Sequence, residues 1–387
     1  MKRMIALTLT VLMLAALLAG CGSTQPEAPQ TPAPVSETAK PTEAPKATET
    51  PAAETPAETE APAPEQPITV TDAVGRQVEL PSYATRVAVL NRYNLELIRA
   101  CGLIDKVIAV DDSIIENHIY WPEFSPEDSF GGSNEVNVEA LAEFEPEALI
   151  TAFYSEDLEK SLAPFGIPVI ALIGYDVNMN NSIDIIEQVF GQTEGSAALR
   201  AFFNEVNGTI TDIAATIPEA ERKTAVWESI KDYSAVKANN DWGKMIERAG
   251  GINVFADVAF ENSDIDGEAY LVADPDFIFK MVAASGADLS GYTPPSEEDY
   301  LAATDAYLAR PGFGEITAVQ NGDVRFVTSF AMGGMGKLVG TAYIAKWMYP
   351  EQYASLDPDA IFARWLEEFQ NIAFVDGQSW RIGDHQA

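Results

Sequence analysis

Glu139-Ala140, followed after a short gap by Pro146-Glu147-Ala148-Leu149-Ile150, is repeated as Glu268-Ala269 followed by Pro275-Asp276-Phe277-Ile278-Phe279, with the same spacing from glutamate to proline to apolar run. A proline cannot continue a helix, so each copy reads as a short helix (Ala140 and Leu141, or Ala269 and Leu271) that stops before a buried strand. Two copies imply two lobes of one design. Each glutamate falls near a helix start, where the helix dipole favours an acid pointing into solvent. The plainer alternative is a pair of ordinary helix-strand joints with acids at their starts.

Outward from this repeat, strands alternate with helices. Ile68-Thr69-Val70 and Gln77-Val78-Glu79-Leu80 flank a turn at Gly75 and predict an opening hairpin. Val87–Leu90, Val107–Val110, Ala148–Thr151 and Val169–Leu172 read as buried strands of a first lobe, with a helix over Leu95–Ala100. Such alternation predicts a mostly parallel sheet covered on both faces. Leu199, Phe202, Phe203, Val206, Ile210, Ile213 and Ile217 recur at helical spacing up to Pro218, so one long amphipathic helix is expected. The pattern restarts with Thr224–Trp227, a helix ending at Ala249-Gly250-Gly251, then Phe277–Phe279 and Val324–Val327. The last helices, around Tyr343–Met348 and Ile361–Phe369, are expected to pack on the second lobe. The fold class is therefore α/β, two Rossmann-like lobes joined by one stiff helix. The boundaries are a leader at 1–20, a tether at 21–66, a first lobe at 67–194, the connecting helix at 195–217 and a second lobe at 218–387.

The start of the chain carries an address. Lys2-Arg3, an apolar stretch from Met4 to Leu18 and Ala19-Gly20 before Cys21 form a secretion signal too short for a comfortable membrane span. Leu18-Ala19-Gly20-Cys21 resembles the lipobox of bacterial lipoproteins, which implies acylation of Cys21. Each buried methylene adds roughly 0.8 kcal/mol of membrane affinity, so several acyl chains make a lasting anchor. From Gly22 to about Gln66 the chain is nearly all Pro, Ala, Thr, Glu and Ser, a composition that cannot bury a core. Its reach is on the order of 5 Å times the square root of its length, several tens of Å.

The formal net charge of -35, from 59 acidic and 24 basic residues, argues against nucleic acid or an anionic bilayer as the partner of the folded surface. Lipid, and not charge, is expected to hold the membrane. Of two cysteines, Cys101 is left without a disulfide partner and reads as a buried, inert thiol. Only His118 and His385 are available, so a histidine triad or multi-histidine metal site is hard to assemble, and no catalytic or metal-ligating set is assigned. Ser234-Ala235-Val236-Lys237 has Ser-x-x-Lys spacing without the motifs that accompany it in penicillin-recognising enzymes. Met332-Gly333-Gly334-Met335-Gly336-Lys337-Leu338 fails as a nucleotide loop, since Leu338 stands where a Ser or Thr is needed.

In order along the chain, Thr71-Asp72-Ala73-Val74-Gly75-Arg76, Gly102-Leu103-Ile104-Asp105-Lys106-Val107-Ile108-Ala109-Val110, the Pro146 phrase, Ala249-Gly250-Gly251-Ile252-Asn253-Val254-Phe255-Ala256-Asp257, Pro275-Asp276 and Ala318-Val319-Gln320-Asn321-Gly322-Asp323-Val324 carry a family likeness. From Ile68 to Phe369 the chain resembles class III (cluster A) solute-binding proteins of ABC importers, the periplasmic binding proteins for ferric siderophores, haem and cobalamin. The resemblance implies a non-enzymatic, monomeric receptor that holds a metal chelate between its lobes and delivers it to a permease dimer with its ATPase. It also implies that Glu139 and Glu268 dock onto arginines of the two permease subunits, contacts that set encounter rate and register and weaken with salt. The loops after the strands then line the ligand site, with Arg92, Tyr93, Tyr154, Tyr175, Glu228, Tyr233, Trp242 and Lys337 as its candidates; Arg92 and Lys337 would neutralise an anionic chelate. Gly336-Lys337 departs from the proline and arginine often found there in the family, which leaves the anion contact open. Haem or a corrinoid remains the alternative ligand, and a surface sensor or a two-lobed enzyme the alternative class.

Overall fold

A computed structural model describes residues 67–132, 136–175, 177–236, 240–257, 264–283 and 291–384. The leader, Cys21, the tether, Lys237 and His385 lie outside the described residues.

The opening hairpin pairs β1 (Ile68–Thr71) with β2 (Gln77–Leu80) in antiparallel register, Val70 opposite Val78. Asp72 locks it to the first lobe: its buried carboxylate accepts from the N–H groups of Val74, Arg76 and Ala171 and from the Arg76 guanidinium at 2.7 Å. The first sheet is wholly parallel, in the order β4 (Val107–Val110), β3 (Val87–Leu90), β5 (Ala148–Thr151), β6 (Val169–Ala171). Every residue of β3 and β5 is buried, because helices cover both faces and no side needs polar alternation.

The connecting helix spans Glu194–Ala214. Thr193 caps it in reciprocal exchange with Ser196, and the chain leaves it ahead of Pro218. Beyond it lies the second sheet, ordered β11 (Ser379–Arg381), β10 (Val324–Val327), β9 (Phe277–Met281), β7 (Thr224–Glu228), β8 (Ile252–Asn253), parallel except for β11. Strand alternation sorts its side chains. Ala225, Trp227, Phe277 and Phe279 join a large core that also holds Val87, Val89 and Leu95 of the first lobe and Leu199 and Phe202 of the connecting helix. Val226, Ile278 and Phe326 face a separate core with Tyr270, Tyr307 and Phe313.

The last helices pack on the second lobe as expected and also reach beyond it. Gly336–Met348 packs on Asp241–Arg248 in the second lobe, but also on the connecting helix. Pro358–Arg364 and the π turn Trp365–Phe369 cross to the connecting helix, with Phe369 5.0 Å from Phe202 between ring centroids and Arg364 bridging Glu205 at 3.0 Å. Gln370 then donates to the backbone carbonyl of Glu96 in the first lobe at 3.1 Å. The end of the chain is thus a second bridge between lobes, fixed by apolar faces that the connecting helix and the first lobe leave uncovered.

Candidate functional site

The carboxyl ends of both sheets meet across one cleft. After β3, Asn91 holds a backbone φ of 90°, outside the range most side chains adopt. Two bonds maintain it: its N–H donates to the buried Asp111 carboxylate at 3.0 Å, and its own side chain accepts from Tyr93 N at 3.0 Å, capping the Arg92–Ala100 helix. This turn sets Arg92 and Tyr93 at the cleft. After β6, Gly174 donates to Asn94 Oδ1 at 2.8 Å and lies so close to the Tyr93 carbonyl that any side chain there would collide with it. Tyr175 follows, edge-on to Tyr93 at 5.8 Å.

From the second lobe, Trp242 stacks on the buried Trp227 at the end of β7, with centroids 5.0 Å apart. Asn240 caps its helix by accepting from Trp242 N at 2.9 Å. The glycine-rich run folds around Tyr93, where Gly333 and Gly334 leave no room for a Cβ against the phenol ring. Lys337, buried in the first turn of Gly336–Met348, points its ammonium between two rings, 4.5 Å from the Tyr175 centroid and 4.9 Å from that of Trp242. Tyr93, Tyr175, Asn240, Asp241, Trp242 and Lys337 line a cavity of about 400 Å³.

Of the residues expected at the ligand site, the structure brings together Tyr93, Tyr175, Trp242 and Lys337. Arg92 stands behind them: its guanidinium donates to Ser329 O at 3.0 Å and to Tyr93 Oη at 2.8 Å, a strut from one lobe to the other. Burial works against its charge, but the Tyr93 hydroxyl and Glu96 carboxylate outweigh it and raise its pKa above the usual value.

Three expected residues lie elsewhere. Tyr154 sits under the Arg76 guanidinium, 3.7 Å from ring centroid to Cζ, and donates to Glu159 at 2.8 Å, bracing the opening hairpin. Glu228 follows Trp227 by one residue and therefore points to the opposite face of the sheet. There it is fully buried, with Arg310 at 2.9 Å, Lys280 at 3.2 Å and the N–H of Tyr233 at 3.0 Å. Tyr233 packs on the same cluster, 4.7 Å from Arg310 to its ring, and lines a separate cavity of about 650 Å³ with Asp232, Asp266, Glu268 and Leu271.

One group escaped the sequence reading. Glu96, on the same helix as Arg92, is buried where the lobes touch; Tyr120 donates to it at 3.3 Å, and Arg92 and Arg99 flank it. Burial pushes its carboxyl up to about 7, against the pull of those arginines. An acid between Leu95 and Leu97 on a buried helix was the available signal. Asp241, beside Trp242 in a loop expected to line the site, takes the first position after a helix-capping asparagine.

Glu139 and Glu268 are both exposed in the first turns of their helices, Val138–Glu143 and Gly267–Ala273. A short helix-to-strand turn makes each helix run against its strand, so both acids belong to the carboxyl-end rim of their sheets. Among the described residues no cluster of His, Cys, Asp or Glu is arranged to hold a metal ion, and Met332 and Met335 are fully buried.

Two mostly parallel sheets meeting at one cleft across a single long helix is an architecture that known proteins share, and residues 87–330 match the periplasmic binding protein family. The chain belongs to that family. It is a solute-binding protein of an ABC transporter, extracytoplasmic and without catalytic activity. The fold is shared with the TroA-like periplasmic binding protein FepB of Veillonella parvula, at 20% identity over 82% of this chain and 100% of that one, with a TM-score of 0.67. It is likewise shared with the molybdate-binding protein MolA of Haemophilus influenzae, at 18% identity over 79% and 99% and a TM-score of 0.63. The vitamin B12-binding protein BtuF of Vibrio cholerae is more distant, at 17% identity over 70% and 98% and a TM-score of 0.53. A comparison with curated proteins returns no match.

Proposed function

We propose that this binding protein captures an anionic metal chelate of the ferric siderophore type in the cleft and hands it to its permease. The observation that carries this reading is Lys337, whose charge is buried between the rings of Tyr175 and Trp242, with Tyr93 and the Arg92 strut opposite. Aromatic walls suit a flat or greasy ligand body, and the ammonium selects its negative charge. A volume of about 400 Å³ lies toward the small end of ligand sites. The buried Met332 and Met335 offer haem no axial thioether.

Glu139 and Glu268, exposed on the rim at equivalent points of the internal repeat, serve as docking acids for the two permease subunits, and acylated Cys21 tethers the receptor to the membrane. Mass spectrometry of the small molecule that co-purifies with the protein tests the ligand class; recovery of an uncharged organic molecule without metal would sink it. Docking is tested by reversing charge at Glu139 and Glu268 together. Uptake should be abolished with ligand affinity intact, and full uptake by the double variant would remove the docking role.

A further inference from the structure

We infer that Asp241 is a specificity-determining residue of the cleft, one that turns away bare oxyanions and favours a chelate presenting a hydrogen-bond donor beside its negative group; this rests on the anionic-ligand reading above. The two oxygens of Asp241 are divided between two lysines. Oδ1 accepts from Lys244 Nζ at 2.9 Å, which pins the carboxylate, while Oδ2 is turned toward Lys337 Nζ at 3.9 Å. Both Asp241 and Lys337 line the same cavity, and Asn240, which also lines it, holds the backbone of this turn through Trp242 N.

Any group that meets the Lys337 ammonium inside this cavity therefore comes within a few Å of a fixed negative oxygen. A fully deprotonated oxyanion gains one charge and meets another of its own sign. A ligand whose anionic donor lies next to a hydroxyl, an amide N–H or a metal-bound water satisfies both residues at once: its negative oxygen takes Lys337, and its donor takes Asp241 Oδ2. The cleft is thus a dipolar reader, not a simple anion hole.

Calorimetric titration of the whole protein with sodium molybdate and with iron(III) citrate separates the possibilities. The wild type should bind iron citrate in preference to molybdate. Asp241→Asn removes the like charge at close range, so molybdate affinity should rise about tenfold or more while iron citrate gains little or weakens, which narrows the preference. Lys337→Gln should weaken both probes. Molybdate affinity that Asp241→Asn leaves unmoved, with Lys337→Gln still weakening both probes, overturns the role of Asp241 alone. Binding of neither probe by the wild type and Asp241→Asn, or binding of both that Lys337→Gln does not change, overturns the anionic-ligand reading and this assignment with it. A thermal melt of each variant matching the wild type shows that the capped turn has survived the substitution.

Discussion

Replacing Glu96 with glutamine should change how stability depends on pH, because the native protein keeps a proton there that the unfolded chain gives up. The carboxyl rises from 4.5 to about 7 on burial beside Tyr120, even with Arg92 and Arg99 at its flanks. Between those values the folded state binds more protons than the unfolded state, so stability falls as pH rises. The contribution is complete below pH 4.5, is lost as pH rises toward 7 and is level above it. At about 1.4 kcal/mol per pH unit, the loss is on the order of 3 kcal/mol. Glutamine carries no proton to lose and still offers Tyr120 an acceptor. Denaturant unfolding of wild type and Glu96→Gln at half-unit steps from pH 4 to 8 gives the difference in free energy, in which the common titration of the surface acids cancels. The variant should gain steadily on the wild type between pH 4.5 and 7 and then hold its lead. Parallel profiles through that window would refute the assignment of a buried, proton-holding Glu96.

The cluster below Tyr233 gives a second test: Arg310→Met leaves Glu228 buried with Lys280 and without its 2.9 Å partner, and should cost about 3–5 kcal/mol in denaturant unfolding while the cleft keeps its probes. Cys101 is buried and its thiol is pushed up to about 12 by burial, so iodoacetamide at pH 8 should label it only after unfolding; rapid labelling of the native protein would place that thiol at the surface instead.

The sheets were readable because parallel strands covered on both faces must be continuous apolar runs, and Val87–Leu90, Ala148–Thr151 and Phe277–Phe279 stand out as such. The connecting helix was equally plain from its apolar period. The cleft was legible by position, since residues just after β3, β6 and β10 had to gather at the carboxyl ends of the strands. Which face each residue takes was harder. Glu228 ends a strand near the cleft, yet one step of strand alternation sends Trp227 toward Trp242 and Glu228 toward Arg310. Tyr154 follows β5 as expected, but the Arg76 guanidinium claims its ring. Long-range pairs of this kind leave no periodic trace. The bridge made by Gln370 and Glu96 was invisible for the same reason, as 274 residues separate its partners.

One core runs unbroken from Val89 through Phe202 to Trp227 and Met332, beside a strut of 21 residues whose length is about 30 Å. A molecule built this way has no soft waist, and prying its halves apart would wet the apolar interior they share. On the docking proposed above, a filled receptor would then differ from an empty one by small changes of surface at the rim, and not by a jaw snapping shut.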